Sequence, residues 1–207
     1  MFALEYRQLP KAGVGTSVAD AVDAYTELIR ERGYRRVIVA GDSAGGFLAA
    51  KVVEAAAQRD LPAPAALIGF SPLLDLDLGD NPDRSSRSDA YLPKSKMARL
   101  ATLFDRGPIP LTGARRIRDV DATIFPPTAF ITAEGEMLEP DVVELVETLD
   151  AAGVDAVAHS YAWQVHAFPV LAVHHPETLH AIDVTAAFAV QAIREGKDAD
   201  NREERAG

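Results

Sequence analysis

Apolar residues recur along the chain in two alternating patterns. Short runs rich in valine, isoleucine and phenylalanine are typical of buried strands, and longer stretches with apolar residues three or four positions apart are typical of helices. Strands that alternate with helices of this length pair in parallel, because the chain must cross a face of the sheet between them. The pattern therefore predicts an α/β fold with a doubly wound, mainly parallel sheet. The predicted strands cover residues 2–6, 36–40, 65–70, 126–132 and 154–161, and the predicted helices cover residues 16–32, 47–58, 94–105, 139–152 and 177–193.

Two stretches depart from this alternation. Residues 75–110 are interrupted by aspartate, serine, arginine, glycine and proline around one predicted helix, which indicates a cap-like insertion. Residues 195–207 are charged and small and lack an apolar face, so a solvated C-terminal tail is expected there. We therefore predict one domain over residues 1–194, whose first helix is capped by Thr16 or Ser17.

Composition and charge narrow the classes of partner. A chain of 207 residues with 48% hydrophobic and 25% charged residues is ordinary for a globular domain. The formal net charge of −10 argues against nucleic acid and anionic membrane surfaces, because a field of that sign repels phosphate. There is no cysteine for a disulfide, a thiolate metal site or a thiol nucleophile. The first seven residues are too short and polar for a secretory signal, and no apolar run is long enough to span a bilayer, so we expect a cytoplasmic protein without stable membrane insertion.

The strongest chemical signal is a Gly-x-Ser-x-Gly turn between a predicted strand and a predicted helix, at residues 41–45. A serine on such a turn has a strained backbone, so Gly41 and Gly45 leave room where side chains would collide. The turn directs the backbone N–H of Ala44 and the positive end of the helix toward a developing oxyanion. The pattern predicts Ser43 as a nucleophile, with Asp42 beside it as structural support. A structural turn without chemistry is the alternative.

A serine nucleophile needs a histidine base and a carboxylate to orient it. His166 lies between the last predicted strand and helix, where the active sites of parallel sheets gather, and is the expected base. The loop after the preceding strand carries four carboxylates, Glu134, Glu136, Glu139 and Asp141. The last two also suit the acidic start of a helix, where negative charge is favourable to the helix dipole. The remaining histidines show no ligand spacing, so no metal site is expected: His159, His174, His175 and His180.

Four stretches give the chain a resemblance to the hormone-sensitive-lipase-like family of α/β-hydrolases, which includes many bacterial carboxylesterases. Residues 5–11 resemble the family's Tyr-Arg-Leu-Ala-Pro-Glu segment, residues 41–46 match its Gly-Asp-Ser-Ala-Gly-Gly elbow, residues 71–72 match its Ser-Pro, and residues 166–168 match its His-x-Phe. The resemblance implies an α/β-hydrolase catalytic domain that hydrolyses short-chain acyl esters without a cofactor. It places the acid on Glu136, with Glu134 as the second choice, beside Ser43, His166 and the oxyanion donor Ala44.

The sequence departs from the family at its start. The family's His-Gly-Gly-Gly oxyanion loop precedes the Tyr-Arg segment, which here begins at Tyr6. We therefore expect an N-terminally truncated fold with reduced catalysis, unless the true start lies upstream of Met1. The first predicted strand would then present an uncovered edge, which self-association into a homo-oligomer could cover. A weak or inactive remnant that acts by binding or has no function, and an acyltransferase with the same triad, are the alternatives to an esterase.

Overall fold

Four parallel strands and six α-helices make up the computed structural model, which describes residues 1–78, 89 and 91–206. The strands are β1 (Ile38–Asp42), β2 (Ala66–Phe70), β3 (Thr128–Ala133) and β4 (Ala156–Tyr161). The helices are α1 (Val14–Thr26), α2 (Ala44–Gln58), α3 (Lys94–Ala101), α4 (Glu139–Ala151), α5 (Phe168–Leu171) and α6 (Pro176–Ala206), with a π-helical turn at Glu27–Glu31 and 3₁₀ turns at Ile117–Asp119 and Ala122–Ile124.

The strands pair side by side in their order along the chain, β1-β2-β3-β4, and every described pairing is parallel. Parallel neighbours need crossover connections, and helical segments occupy each interval between successive strands. The carboxyl ends of all four strands consequently meet at one edge of the sheet, where β1 continues into α2 and β3 leads into α4. The predicted α/β class with a parallel sheet is confirmed.

Most of the apolar core lies on one face of the sheet. Phe130 of β3 and Leu67 of β2 point into this face, where the side chains of α2 and α4 cover them. Burial of each such side chain contributes on the order of 1.5–3 kcal/mol. The largest fully buried side chains of this cluster are Phe47, Leu67, Phe130, Ile117, Leu76, Met137, Leu138, Leu145 and Leu149.

A smaller cluster covers the opposite face. Ile131 follows Phe130 directly on β3 and therefore points to the other side of the sheet, since side chains alternate along a strand. There it packs with Phe168 of α5 and Ala181 of α6, and all three side chains are fully buried. Helices thus cover both faces, as a doubly wound sheet requires.

The predicted strand at residues 2–6 is wrong. Apolar Phe2, Leu4 and Tyr6 alternate as in a strand, but the segment runs without regular structure and pairs with no described strand. It lies along the surface beside β1, where the ring of Phe2 meets the ring of Tyr34 edge-on at 5.7 Å. Period-two alternation describes an extended backbone equally well with or without a paired neighbour.

The first helix begins earlier than expected, at Val14, with Gly13 as its N-cap in place of Thr16 or Ser17. A β-carbon on Gly13 would lie 1.8 Å from the carbonyl oxygen of Arg106, so the close passage of that backbone requires glycine here. Ser17 lies inside the first turn and donates a hydrogen bond to the carbonyl of Arg7. Its hydroxyl therefore anchors the N-terminal segment rather than capping the helix.

The last helix extends further than predicted. It was expected to end near residue 193 and give way to a tail from residue 195, but α6 continues to Ala206. The added stretch is rich in glutamate and arginine, which favour helix even where no apolar face packs. Gln191 also bonds Glu195 one turn later. The side chains from residue 197 onward lie outside the described residues.

The stretch predicted as an insertion, residues 75–110, is described in part, because residues 79–88 and 90 lie outside the described residues. An isolated bridge between Asp75 and Arg116 closes its base. Its predicted helix is present as α3 but ends at Ala101 rather than at residue 105. The first helix, predicted to end at residue 32, ends as an α-helix at Thr26 and continues as the π-helical turn Glu27–Glu31. The remaining predicted boundaries shift by at most three residues.

Tyr25 offers a test of the packing between α1 and the loop before β2. Its hydroxyl donates to the carbonyl of Pro62 at 2.6 Å, and burial raises the pKa of Tyr25 to about 12. Because this pKa lies above the ordinary value of 10.0, folding favours the neutral phenol, and the stabilisation is complete below pH 10 and lost as the pH rises toward 12. We expect Tyr25→Phe to lower the free energy of unfolding by about 1 kcal/mol near neutral pH.

Urea unfolding of the two proteins at about pH 8 and about pH 11 measures this effect. The difference in unfolding free energy should shrink at the higher pH, because only the wild type then has to protonate or expose a phenolate on folding. A difference that stays constant with pH would contradict the buried, hydrogen-bonded phenol.

Candidate active site

Ser43 lies on a sharp turn between β1 and α2. Its backbone has φ 49° and ψ −118°, a region that residues with side chains rarely adopt. A β-carbon on Gly41 would lie 2.2 Å from the carbonyl of Gly45, so the backbones at the two ends of the turn are too close together for a side chain between them. Gly41 therefore permits the turn, and the turn projects Ser43 from the carboxyl end of β1. The expected collision at Gly45 is wrong, because a β-carbon there would meet nothing closer than Asp42 Oδ1 at 4.0 Å.

A chain of hydrogen bonds joins three of the predicted site residues. Ser43 Oγ lies 2.9 Å from His166 Nε2, and His166 Nδ1 lies 2.7 Å from Glu136 Oε2. His166 is 2% exposed and Glu136 is 3% exposed, so water does not compete for these bonds. A carboxylate only accepts, so Nδ1 carries the proton and Nε2 is left to accept from the Ser43 hydroxyl.

Glu136 is held by its own turn. Its second oxygen, Oε1, accepts a bond from the N–H of Ala133 at 3.0 Å, and its own N–H donates to the carbonyl of the same residue. Both carboxylate oxygens thus have fixed partners, which sets the side chain toward the histidine.

The other three carboxylates of this loop serve elsewhere. Glu134 is exposed, and its N–H donates to the carbonyl of Tyr161 at the end of β4. Glu139 accepts bonds from Thr132, Gly135 and Ser160 at the start of α4. Asp141 is buried one turn into α4. Of the four, Glu136 is the one that contacts His166.

Ser71 supports the His166 loop, a role that the sequence analysis did not assign to it. It is 1% exposed, and its hydroxyl accepts a bond from the N–H of Ala167 at 2.9 Å. Its own N–H donates to the carbonyl of Ile131 at 2.6 Å, which fixes it at the end of β2. The conformation of Ala167 is left-handed, with φ 54°, so this bond stabilises a bend directly after His166. A serine before proline at a strand end is the signal that could have indicated it.

Tyr91 was also not predicted. Its ring lies nearly parallel to the imidazole of His166, with ring centroids 5.9 Å apart and an interplanar angle of 22°. The side chain is about half exposed, so it forms an aromatic wall between the imidazole and solvent. Nothing in the local sequence indicates this contact, because it depends on how the stretch after residue 75 folds back.

Ala44 is the first residue of α2 and follows the nucleophile candidate directly. The first N–H groups of a helix have no partner inside it and carry its positive dipole end. Asp42, on the other side of Ser43, lies near Tyr6, whose phenol pKa is raised by burial and then by this negative charge. Ala44 therefore offers a donor at the turn, whereas the charge of Asp42 acts on the phenol of Tyr6.

Two cavities flank this turn. A small one of about 140 Å³ borders Ala44 and has apolar walls that include Phe47, Leu73, Leu76 and Phe104. A larger one of about 490 Å³ runs along β1 between the N-terminal segment and α1. We relate the smaller one to chemistry, because it adjoins the donor at the turn, whereas the larger one follows the edge of the sheet.

Other candidate groups do not gather into a site. His175 bonds Glu177 and His180 bonds Tyr161, while His159 is partly buried in β4. Across residues 1–78, 89 and 91–206, no three histidine or carboxylate side chains lie close enough together to hold a metal ion. In the same ranges, none of the helices has the length and apolar character to cross a membrane.

Comparisons with known proteins agree with this geometry. A family model described as the α/β-hydrolase fold matches residues 1–170. The carboxylesterase/phospholipase LipF of Mycobacterium tuberculosis is 31% identical over 194 residues, which cover 89% of this chain and 52% of LipF. An acetyl-hydrolase of Streptomyces hygroscopicus is 31% identical over 204 residues, which cover 95% of this chain and 66% of that protein.

A solved structure is similar at the level of the whole fold. The crystal structure of an esterase from the bacterial hormone-sensitive lipase family superposes with a TM-score of 0.78 at 28% sequence identity, covering 91% of this chain and 63% of that one. The chain spans about half the length of LipF, at 52%. By fold, matched family model and relatives, the chain belongs to the α/β-hydrolases, in their hormone-sensitive-lipase-like branch.

Proposed function

We propose that the chain is a serine hydrolase that cleaves carboxylic esters. Ser43 is the nucleophile, His166 the general base and acid, and Glu136 the carboxylate that orients the histidine. The observation that carries the proposal is the unbroken chain of hydrogen bonds from Ser43 Oγ through the imidazole to Glu136 Oε2. A strained serine, a buried imidazole and a buried carboxylate together form the arrangement that activates a hydroxyl. The names of the relatives, carboxylesterase and acetyl-hydrolase, support the same reaction class.

The reaction takes place in two halves. Ser43 Oγ attacks the ester carbonyl carbon as its proton passes to His166 Nε2, and the imidazolium is stabilised by Glu136. His166 then gives this proton to the departing alkoxide, so the alcohol leaves and an acyl-serine remains. In the second half His166 takes a proton from water, the resulting hydroxyl attacks the acyl carbon, and the proton returns to Ser43 Oγ as the acid leaves. The route uses no cofactor.

The oxyanion of each tetrahedral intermediate needs donors. The N–H of Ala44 is the donor that the turn supplies, reinforced by the N-terminal end of α2. A single oxyanion donor is worth roughly 10²–10³ in turnover, so activated esters, which depend least on this stabilisation, are the most sensitive substrates.

The small cavity supports a preference for short acyl groups. Its volume of about 140 Å³ lies below the roughly 300–1,000 Å³ typical of sites for drug-sized ligands. Leu73 and Phe104, both nearly fully buried, form part of its apolar wall. An acyl chain that enters past Ala44 therefore meets a closed apolar wall after a short distance.

A series of p-nitrophenyl esters tests both the reaction and the preference. We expect kcat/KM to be highest for acetate or butyrate and to fall by about tenfold or more at octanoate, because a longer chain cannot be buried. Leu73→Ala should raise the relative kcat/KM for octanoate, because it lengthens the cavity while the N–H of residue 73 keeps its bond to the carbonyl of Ser43. Leu145→Ala, which opens a void in the main core, is the matched control and should leave the ranking unchanged.

Three outcomes would contradict the proposal. A preference for long chains in the wild type would place the acyl group outside the small cavity. The absence of any hydrolysis by a folded chain would favour an inactive remnant. Release of acyl groups to alcohols in preference to water would indicate an acyltransferase. A cytoplasmic location and a homo-oligomer remain predictions from the sequence.

A further inference from the structure

Asp89 is a buried carboxylate that the reaction described above does not use. It is 7% exposed, and its two oxygens accept bonds from three backbone N–H groups. One oxygen, Oδ1, accepts from Tyr91 at 2.9 Å and from Leu92 at 2.7 Å, which closes a local turn. The other, Oδ2, accepts from Met137 at 3.1 Å, far along the chain. A buried carboxylate with both oxygens committed is a fixed point in the structure.

The remote bond ends next to Glu136. Met137 is the following residue and is fully buried, so water does not substitute for a lost partner of its N–H. Within the turn that carries Glu136, the N–H of Ala133 donates to the Glu136 carboxylate, and the carbonyl of Ala133 accepts from the Glu136 N–H. Asp89 binds the same turn from a distant part of the chain, through the N–H of Met137. The direction of the Glu136 side chain is therefore set between two anchors, of which Asp89 is one.

The local bonds act on the other side of the imidazole. By accepting from the N–H groups of Tyr91 and Leu92, Oδ1 places Tyr91, whose ring stacks on His166. One carboxylate thus connects the wall that covers His166 with the turn that presents Glu136. Neither oxygen touches Ser43 or His166, so any effect on catalysis has to pass through neighbours.

We propose that Asp89 is a positioning residue for the active site, which acts through the Met137 N–H to hold Glu136 within hydrogen-bond distance of His166. This inference rests on the proposed function, because it assigns Glu136 its orienting role. Displacements well below 1 Å matter here, since the Glu136–His166 bond fixes both the tautomer and the direction of the imidazole.

Two variants separate the remote bond from the local turn. In Asp89→Asn the amide presents one oxygen and one NH₂ group, so either Met137 or the local turn faces a donor instead of an acceptor. In Asp89→Ser the hydroxyl keeps an acceptor for the local turn but is too short to reach Met137. For both we expect kcat to fall about tenfold or more while KM stays within about threefold, because alignment and not substrate binding is lost.

Three comparisons make the result specific. Asp77→Asn is the matched control, since Asp77 is half exposed and pairs with Arg115 away from Glu136, and its kcat should stay within about twofold. Tyr91→Leu removes the ring but keeps the carboxylate and should lower kcat less than the Asp89 variants. In a Glu136→Gln background, Asp89→Ser should cost only about twofold more, because the group through which it acts is already impaired.

A second readout does not depend on turnover. The Nδ1 proton of His166, shared with Glu136, is expected as a far-downfield proton resonance in NMR spectra, assigned by its absence in His166→Gln. It should shift or broaden in Asp89→Ser and stay unchanged in Asp77→Asn. If the wild type shows this resonance but no ester hydrolysis, the proposed function fails while the role of Asp89 is still decided by the spectrum.

Several results would overturn the proposal. An unchanged resonance and unchanged kcat in folded Asp89→Ser would show that the Met137 bond does not position Glu136. Full reproduction of the Asp89 effect by Tyr91→Leu would assign that effect to the aromatic wall alone. An undiminished effect of Asp89→Ser in the Glu136→Gln background would assign it to general loss of structure.

Discussion

Replacement of Ser43 by alanine is expected to abolish ester hydrolysis, with kcat for p-nitrophenyl acetate lowered by about 10⁴-fold or to the level of the uncatalysed reaction. The reason is chemical, since the acyl-serine cannot form without Oγ, and His166 Nε2 then has no hydroxyl to deprotonate. Alanine also occupies the strained turn with less bulk, so the fold should remain. Covalent labelling by a fluorophosphonate, measured by intact mass, should disappear together with turnover.

The matched control is Ser160→Ala, which removes an exposed hydroxyl that bonds Glu139 at the start of α4. Its turnover and its labelling should stay within about twofold of the wild type. Labelling that persists in Ser43→Ala would identify a different nucleophile. Loss of activity in both variants would point to general damage to the fold rather than to chemistry at Ser43.

The second large effect is expected for Glu136→Gln, which should lower kcat by about 10³–10⁴-fold. A glutamine has one oxygen, and it is needed twice, by the N–H of Ala133 and by Nδ1–H of His166. If the oxygen stays with Ala133, the NH₂ group faces the imidazole and favours the tautomer with its proton on Nε2. That tautomer cannot accept the proton of Ser43.

Glu134→Gln is the paired comparison, because it makes the same chemical change two residues earlier in the same loop. Its side chain is exposed and does not contact His166, so its kcat should stay within about twofold of the wild type. Steady-state kinetics of both variants with one ester decide the matter. A larger loss in Glu134→Gln than in Glu136→Gln would refute the choice of acid.

The parts of the molecule that the sequence predicts well are those with local causes. Gly41 is needed at the turn before Ser43 because the backbone of Gly45 leaves no room for a β-carbon on it, and the Gly-x-Ser-x-Gly pattern indicates this locally. Strand β1, which leads into the turn, follows from an apolar run of the right length. In contrast, the choice among four carboxylates depends on how one loop bends. The residues alone leave all four open, and it is the family resemblance that favours Glu136, with Glu134 as the second choice.

The failures have physical reasons too. Residues 2–6 alternate like a strand but have no partner among the described strands, and alternation does not report pairing. Helix α6 runs past its predicted end because glutamate and arginine favour helix in a charged stretch even where it has no apolar face. Tyr91 and Asp89 reach the site from a stretch without periodicity, so no local pattern indicates their contacts.

Because of the order of the strands, the Ser43–His166 hydrogen bond forms only when both edges of the described sheet are in place. Ser43 follows β1 at one edge of the described sheet, and His166 follows β4 at the other, so their hydrogen bond joins residues 123 positions apart. Contacts of such separation form late, after the intervening units have docked. During synthesis Ser43 therefore emerges long before His166, and a partly folded chain carries Ser43 without its hydrogen bond to the imidazole. Reactivity toward a fluorophosphonate would appear only when the last strand has joined the sheet. The time at which labelling appears during refolding would therefore measure when the fold is complete.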